Sequence, residues 1–423
     1  MAHVTYPGRG HNNSEDLELM ITSASDTVGE DQIIGGYNNR DSVTILMDSI
    51  QKDLKQVPSL PPNCSLFRVP TPLRKVKPEA YTPRMVSIGP YHRSEKHLQP
   101  MEAQKLRCLN DFLCRESPAT LDDYVKAMIE LEEMQKSSNS NLNEFVKIMT
   151  FDGCFILELI IRTNLKKRSD LYEPKHRDDP ILNATWMSYV IKGDLILLEN
   201  QLPFFVLEHL YNLFTGNSYS NGLGSFTSIA CLFFEDFVPQ PQTITAESSR
   251  FRPIFEVAKN MIRRSKKEDQ VGVVALLIKA AKQVEEPEDK SQAKHLLAFV
   301  RDLLLQSPLR SPLNPGDSSH IRSATELHEA SVKFEKGLKP CLSDIKFNNG
   351  VLKIPTMKIE NWTEPLLRNL IAFEDNYITA YAAFIDGLIN SPKDVELLQK
   401  KETIESLLGD PKELVALFTS LLK

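Results

Sequence analysis

Residues 142–164 read LNEFVKIMTFDGCFILELIIRTN. Wound as a helix, the stretch is apolar nearly all round, and such a helix has to be enclosed by other elements. Its longest apolar run, GCFILELII (153–161), is interrupted by Glu158 and too short to cross a bilayer. This predicts a central buried helix in a helical protein. Gly153 lowers helix propensity there, so close packing of another element, or a break, is expected at it. Asp152 is a carboxylate in an apolar setting and needs a partner or a raised pKa. Cys154 reads as inert packing.

Helical spacing extends outward from this stretch. Asp41–Val57 carries Val43, Leu46, Met47, Ile50 and Leu54 at helical intervals. Pro100 opens a helix with Met101, Leu106, Leu109 and Leu113 on one side. Residues 182–214 predict two helices divided at Pro203, and residues 363–376, 377–391, 394–408 and 411–423 predict four more. Prolines 58, 61, 62, 70, 72, 78 and 83 predict an extended segment along the surface. A short strand is expected near Val86. One piece is plainly β. In SDIKFNNGVLKIP (343–355), Asn349-Gly350 is the preferred two-residue hairpin turn. It pairs Phe347 with Leu352 and Ile345 with Ile354 on one face, and Lys346 with Lys353 on the other. Opposed lysines repel, so that face is wet or meets an anion. The fold class is therefore mainly α, one large helical domain with a small β-hairpin near 343–355. Residues 1–41, polar and aperiodic, predict a disordered leader before a single domain of 42–423, with a division into two lobes expected near 238–250.

Composition narrows the function class. The chain has 423 residues, 41% hydrophobic and 25% charged, with a net charge of −6. That is a globular composition, and the field disfavours nucleic acid. Six cysteines without C-x-x-C spacing read as free thiols in a reducing compartment. The N-terminus lacks the basic and apolar regions of a secretory signal. No run of 18 apolar residues is present, so no transmembrane anchor is expected.

Motifs for P-loop, Rossmann, zincin or nucleophile-elbow chemistry are absent. His92 and His97 offer two nitrogens without a third ligand nearby, so no metal or other cofactor is expected. Three side chains are candidates for acid–base work: His92 in Gly89-Pro90-Tyr91-His92, Asp152 beside Gly153, and Glu199 in Glu199-Asn200-Gln201. Each also has a structural reading. The Gly89–His92 turn can clasp the chain to the helical body, and Glu199-Asn200-Gln201 can satisfy backbone groups before Pro203.

Several segments together resemble one family. They include LFRVPTPLRKVKPEAY, VSIGPYH, LQPMEAQKLRCLNDFL, FDGCFILELI, DLILLENQLPFFVL, SATELHEASVKF and IKFNNGVLKIP. They are similar, in order, to the plant group called domain of unknown function 247, from about residue 42 onward. The resemblance implies a mainly helical fold, and for some members a recognition role at self-incompatibility loci. It supplies no catalytic residue or cofactor. The chain departs from the family pattern at Arg93-Ser94, where the family reads His-Gly, and at Ser331, where it reads Gly. It also stops at Lys423, before the family's usual apolar C-terminal helix, and reads as either a soluble, shortened member or a truncated form. The expected function is plant recognition or signalling through protein–protein contacts. The alternative is a soluble enzyme of specialised metabolism using His92, Asp152 and Glu199. The expected location is cytoplasmic, with peripheral contact at the plasma membrane through residues 411–423 the weakest reading.

Overall fold

The computed structural model describes residues 67–115, 117–135, 142–167, 179–216, 225–238, 293–305, 321–337, 341–373 and 376–422, all within the unit Pro61–Lys423. The expected leader, the Asp41–Val57 helix and the 239–250 part of the expected lobe boundary lie outside the described residues. The described fold is mainly α. Its helices are α1 (Thr71–Val76), α2 (Gln99–Leu113), α3 (Leu121–Gln135), α4 (Leu142–Lys167), α5 (Pro180–Asn183), α6 (Thr185–Asp194) and α7 (Phe204–Thr215). They continue with α8 (Phe226–Phe233), α9 (Leu296–Leu305), α10 (Ala324–Glu329), α11 (Thr363–Ala372), α12 (Asn376–Leu388), α13 (Pro392–Lys400) and α14 (Pro411–Leu421).

The 142–164 stretch forms α4, and α2, α3, α7 and α8 pack around it. Its consecutive residues from Asp152 to Arg162 are all buried, so no side of that part of the helix meets water. Gly153 serves close approach: a Cβ there would run into Leu210 Cδ1 on α7. A second group, α11 to α14, joins the same continuous core, which runs from Val69 to Leu421. Leu414, Leu417, Phe418 and Leu421 of α14 are buried against α11, α12 and α13. The apolar face of α14 is therefore covered within the fold.

Four local expectations need correction. The Pro-rich segment is not extended throughout, because Thr71–Val76 is helical with Pro72 in its first turn, where no N–H is needed. On α2, Leu106 is 51% exposed while Lys105 is buried. The first of the two helices in 182–214 stops at Asp194, and 195–203 is a buried non-helical turn before α7 starts after Pro203. The helix expected over 394–408 ends at Lys400. Glu402 adopts φ 56°, and Ile404–Ser406 becomes strand β5 instead.

The hairpin forms with Asn349 and Gly350 at positive φ. Strand β2 (Lys346–Asn348) pairs antiparallel with β3 (Val351–Ile354), with Phe347 opposite Leu352 and Lys346 opposite Lys353. Ile345 falls outside the ladder. Ile354 is opposite Lys336 of β1 (Lys333–Lys336), which runs parallel to β3 on its other side. The sheet order is β1-β3-β2, and a separate parallel pair joins β4 (Met357–Ile359) to β5. Lys346 pairs with Asp344 and Lys353 with Glu335, which offsets the repulsion between the opposed lysines.

Helix α10 ends in a Schellman motif. Val332 N–H donates to Leu327 O and Ser331 N–H to His328 O. Ser331, at the position that wants glycine, has φ 71°. A side chain in that region costs about 1 kcal/mol. Ser331→Gly is expected to raise stability by about 0.5–1 kcal/mol, less than the full strain because glycine also loosens the unfolded chain. Urea denaturation checks it.

His295 caps α9. Its Nδ1 accepts the Ala298 N–H at 3.1 Å, and its ring lies edge-on to Phe67 and Phe373. Burial pushes its pKa down to about 3, with Arg301 and Lys294 adding to the effect. The unfolded imidazole takes a proton near 6.5. The unfolded state therefore binds more protons between these values, and the stability is present above pH 6.5 and lost as pH falls. At pH 5 the loss from this group is about 2 kcal/mol. The substitution His295→Asn keeps a cap oxygen and takes no proton. The drop in unfolding free energy from pH 7.5 to pH 5 should be about 2 kcal/mol smaller in that variant than in the wild type.

Candidate functional site

Arg84–Gly89 runs into the core as a non-helical segment, and it joins no sheet. This corrects the strand expected near Val86. A buried backbone needs partners, and here side chains from α4, from the end of α6 and from the 195–203 turn supply them. Asp194 Oδ1 accepts the Arg84 N–H at 2.9 Å, and Oδ2 accepts those of Met85 and Val86 at 2.7 and 2.9 Å. Asn200 Oδ1 accepts the Ile88 N–H at 2.6 Å. Its Nδ2 donates to Val86 O and Asp194 O. Asp152 Oδ2 accepts the Gly89 N–H at 2.9 Å. Lys105 Nζ donates to Asp152 Oδ1 at 2.8 Å and also to Ser87 O.

Gly89 is fixed twice over. Its φ is 71°, and a Cβ would lie 2.8 Å from Gln201 O. The turn then sets Tyr91 under the Arg68 guanidinium, 4.5 Å from the ring centroid. His92 Nδ1 meets Glu95 Oε1 at 2.5 Å. His92 Nε2 lies 3.8 Å from Glu199 Oε2 and has no hydrogen-bond partner. Glu199 accepts the Val69 N–H at 2.8 Å through Oε1 and the Arg74 guanidinium through Oε2. Gln201 Nε2 donates to Leu195 O and Leu197 O, and its Oε1 accepts the Leu297 N–H.

The site residues thus form two linked sets. His92 and Glu199 are neighbours. Asp152 sits apart from them, tied through the Gly89 amide and Lys105. All three are buried, at 5%, 8% and 0% exposure. Burial raises the Asp152 carboxyl above the usual range, against the pull of Lys105. Asp194 is pushed up to about 6 by burial, with the three amide donations working against it.

Asp194, Lys105 and Asn369 are site residues that the sequence reading missed. Asn369 reaches the same region from α11, accepting the Leu198 N–H and donating to Ala80 O. One signal was available for Asp194. An acidic residue at a helix C-terminus opposes the macrodipole, so an aspartate there, followed by Leu-Ile-Leu-Leu, needs another reason. A shallow cleft beside the segment is lined by Glu79, Arg84, Tyr189, Asp194 and Trp362 among others, and His92, Asp152 and Glu199 do not line it. His97 Nε2 is engaged with Pro83 O at 3.0 Å. No group of three or more His, Cys, Asp or Glu among the described residues is placed to hold a metal.

The family model described as plant protein of unknown function, DUF247, matches residues 66–423. The chain belongs to the DUF247 family. The clasp segments, Val86–His92 and Asp194–Gln201, both lie inside the matched range. The chain is 29% identical to UPF0481 protein At3g47200 of Arabidopsis thaliana, over 85% of this chain and 73% of that protein. It is 24% identical to Putative UPF0481 protein At3g02645 of the same plant, over 88% of this chain and 80% of that protein. No solved structure matches the chain. No helix among the described residues is long and apolar enough to cross a membrane.

Proposed function

We propose that this DUF247 chain is a recognition module that works through protein–protein contact, in a signalling role. The observation that carries the reading is the fate of the candidate acid–base groups. Asp152 is sealed from solvent and Glu199 is buried, and their oxygens hold the backbone amides of Gly89 and Val69 and the cations of Lys105 and Arg74. Carboxylates used this way build a scaffold; they are not presented to a substrate. Trp186 and Phe347 stand more than 60% exposed, and large exposed aromatics suit contact surfaces. The five described cysteines are free thiols, four of them buried, which supports a cytoplasmic location.

One observation favours the enzyme alternative. His92 Nε2 is unpartnered and lies 3.8 Å from Glu199, too far for direct proton transfer between the two, but an imidazole nitrogen without a partner beside a carboxylate is a candidate acid or base. Purification of the tagged protein from leaf tissue, with mass spectrometry of co-eluting proteins and small molecules, separates the two. A stoichiometric protein partner, lost when exposed residues are substituted, is the expected result. A retained small molecule without a protein partner would overturn the reading and make His92 the first residue to substitute.

A further inference from the structure

The cleft between α6 and the start of α11 holds about 390 Å³ of empty space, counting the solvent at its mouth. That is room for a small molecule. Two rings form part of its wall, Tyr189 and Trp362. One carboxylate fixes both. The Tyr189 hydroxyl donates to Glu360 Oε2 at 3.1 Å, and the Trp362 Nε1–H donates to the same oxygen at 3.0 Å. Lys358 lies 2.5 Å from the other Glu360 oxygen and offsets its charge. The polar tips are therefore spent, and what the rings offer the cleft is apolar. Val190, Leu197 and Pro365 extend that surface. Gly193 keeps it open, because a Cβ there would meet nothing within 4 Å.

The charges at the cleft differ from those of the clasp. Glu79 and Arg84 line it, and both are exposed. Neither side chain has an ion pair or a hydrogen bond with any described residue, and the two do not pair with each other. Asp194 also lines the cleft, and the Arg84 charge acts on it and on the Tyr189 hydroxyl. The Asp194 oxygens are taken by three backbone amides. Glu364, next to Pro365, is held by Lys77 and Arg368. One carboxylate and one guanidinium are thus left open on a cleft with aromatic walls.

We propose that this cleft is a binding site for a free amino acid with an aromatic side chain. The planar Arg84 guanidinium would take the α-carboxylate, and Glu79 would take the α-ammonium. The ring would lie against Tyr189 and Trp362. Three features of one small ligand then answer three features of the cleft. A residue within a peptide, or at either end of one, does not fit, since it lacks one or both of the charges on a single carbon. The site goes beyond the protein-recognition reading and asks for no partner chain.

Calorimetric titration of the full chain with L-phenylalanine tests it, with an expected dissociation constant of about 1 mM or tighter. 3-Phenylpropanoate lacks the ammonium, phenethylamine lacks the carboxylate and glycine lacks the ring. Each should bind at least about fivefold more weakly. Arg84→Gln and Glu79→Gln change exposed side chains, so both variants should keep the wild-type melting temperature. Both should weaken L-phenylalanine by about fivefold or more. Glu79→Gln should not weaken 3-phenylpropanoate, which has no ammonium to lose. Gly193→Leu fills the cleft and should abolish binding, while leucine suits a helix better than glycine. The chain has two tryptophans, Trp362 in the cleft and Trp186 on the same face of α6 as Tyr189 and Val190. Their fluorescence should change on saturation with phenylalanine, which does not absorb where they are excited. No binding by either readout, binding unchanged in Gly193→Leu, or 3-phenylpropanoate bound as tightly as L-phenylalanine would overturn the assignment. A protein partner can bind elsewhere on the chain, so failure here leaves the recognition reading standing and the two fail separately.

Discussion

Asp194→Ala is expected to lower the unfolding free energy by about 2–4 kcal/mol, since a buried amide left without an acceptor costs about 1–3 kcal/mol and the part-buried ones less. Three amides lose their acceptor together, those of Arg84, Met85 and Val86. Urea denaturation at pH 7.5 measures the loss. Asp194→Asn should fall between wild type and alanine, because one amide oxygen replaces two carboxylate oxygens and the new NH2 group faces a donor. A pH series adds a signature that cavity formation lacks. The folded carboxyl titrates near 6 and lies above its ordinary value of 3.8. Between those values the folded state binds more protons, so this group's contribution is full below pH 3.8 and falls as pH rises to about 6. Asparagine does not titrate, so the gap between wild type and Asp194→Asn should narrow over that range by up to about 3 kcal/mol. A gap that stays constant from pH 4 to pH 7 would count against the assignment.

Lys105→Met should cost about 3–5 kcal/mol, the range for removing one partner of a buried ion pair. The ammonium is buried and lies 2.8 Å from Asp152 and 2.7 Å from Glu102. Without it the Asp152 carboxylate has only the Gly89 amide. Burial already holds that carboxyl above the usual range, and losing the cation raises it further. The deficit should therefore shrink as pH falls, since a protonated acid needs no cation. The double variant Lys105→Met/Asp152→Asn keeps an acceptor for Gly89 and removes the stranded charge. It should be more stable than Lys105→Met alone in urea denaturation at pH 7.5. A double variant as unstable as the single one would show that packing, and not charge, sets the loss.

The helical body could be read from the sequence because burial there follows period and composition. Within LNEFVKIMTFDGCFILELIIRTN the part DGCFILELIIR leaves a helix no wet face, and Asn349-Gly350 fixes the hairpin and its register. Gly153 also announced its neighbour. What escaped depended on partners far away in the chain. Lys105 reads as a solvated helix residue until Asp152, 47 residues on, is placed beside it. Strand β5 exists because Met357–Ile359 offers it a ladder, and Ile404-Glu405-Ser406 alone is indistinguishable from the end of a helix. At the site, His92, Asp152 and Glu199 stood out because polar residues in apolar surroundings need a reason. The sequence could not show that the reason is backbone carried in from Val69 and from Arg84–Gly89.

That dependence bears on the order in which the chain folds. The Ile88 and Gly89 amides find their acceptors 112 and 63 residues away, and the Arg84 amide finds its acceptor 110 residues away. Contacts of such long range form only after a large loop has been closed. The acceptors are oriented only once α4, α6 and the turn after it have packed. The 84–89 strap is therefore expected to dock late, with φ-values near zero for its contacts to Asp152, Asp194 and Asn200. Once docked it should leave as a unit, its amides exchanging with solvent in one cooperative opening instead of fraying one by one from an edge.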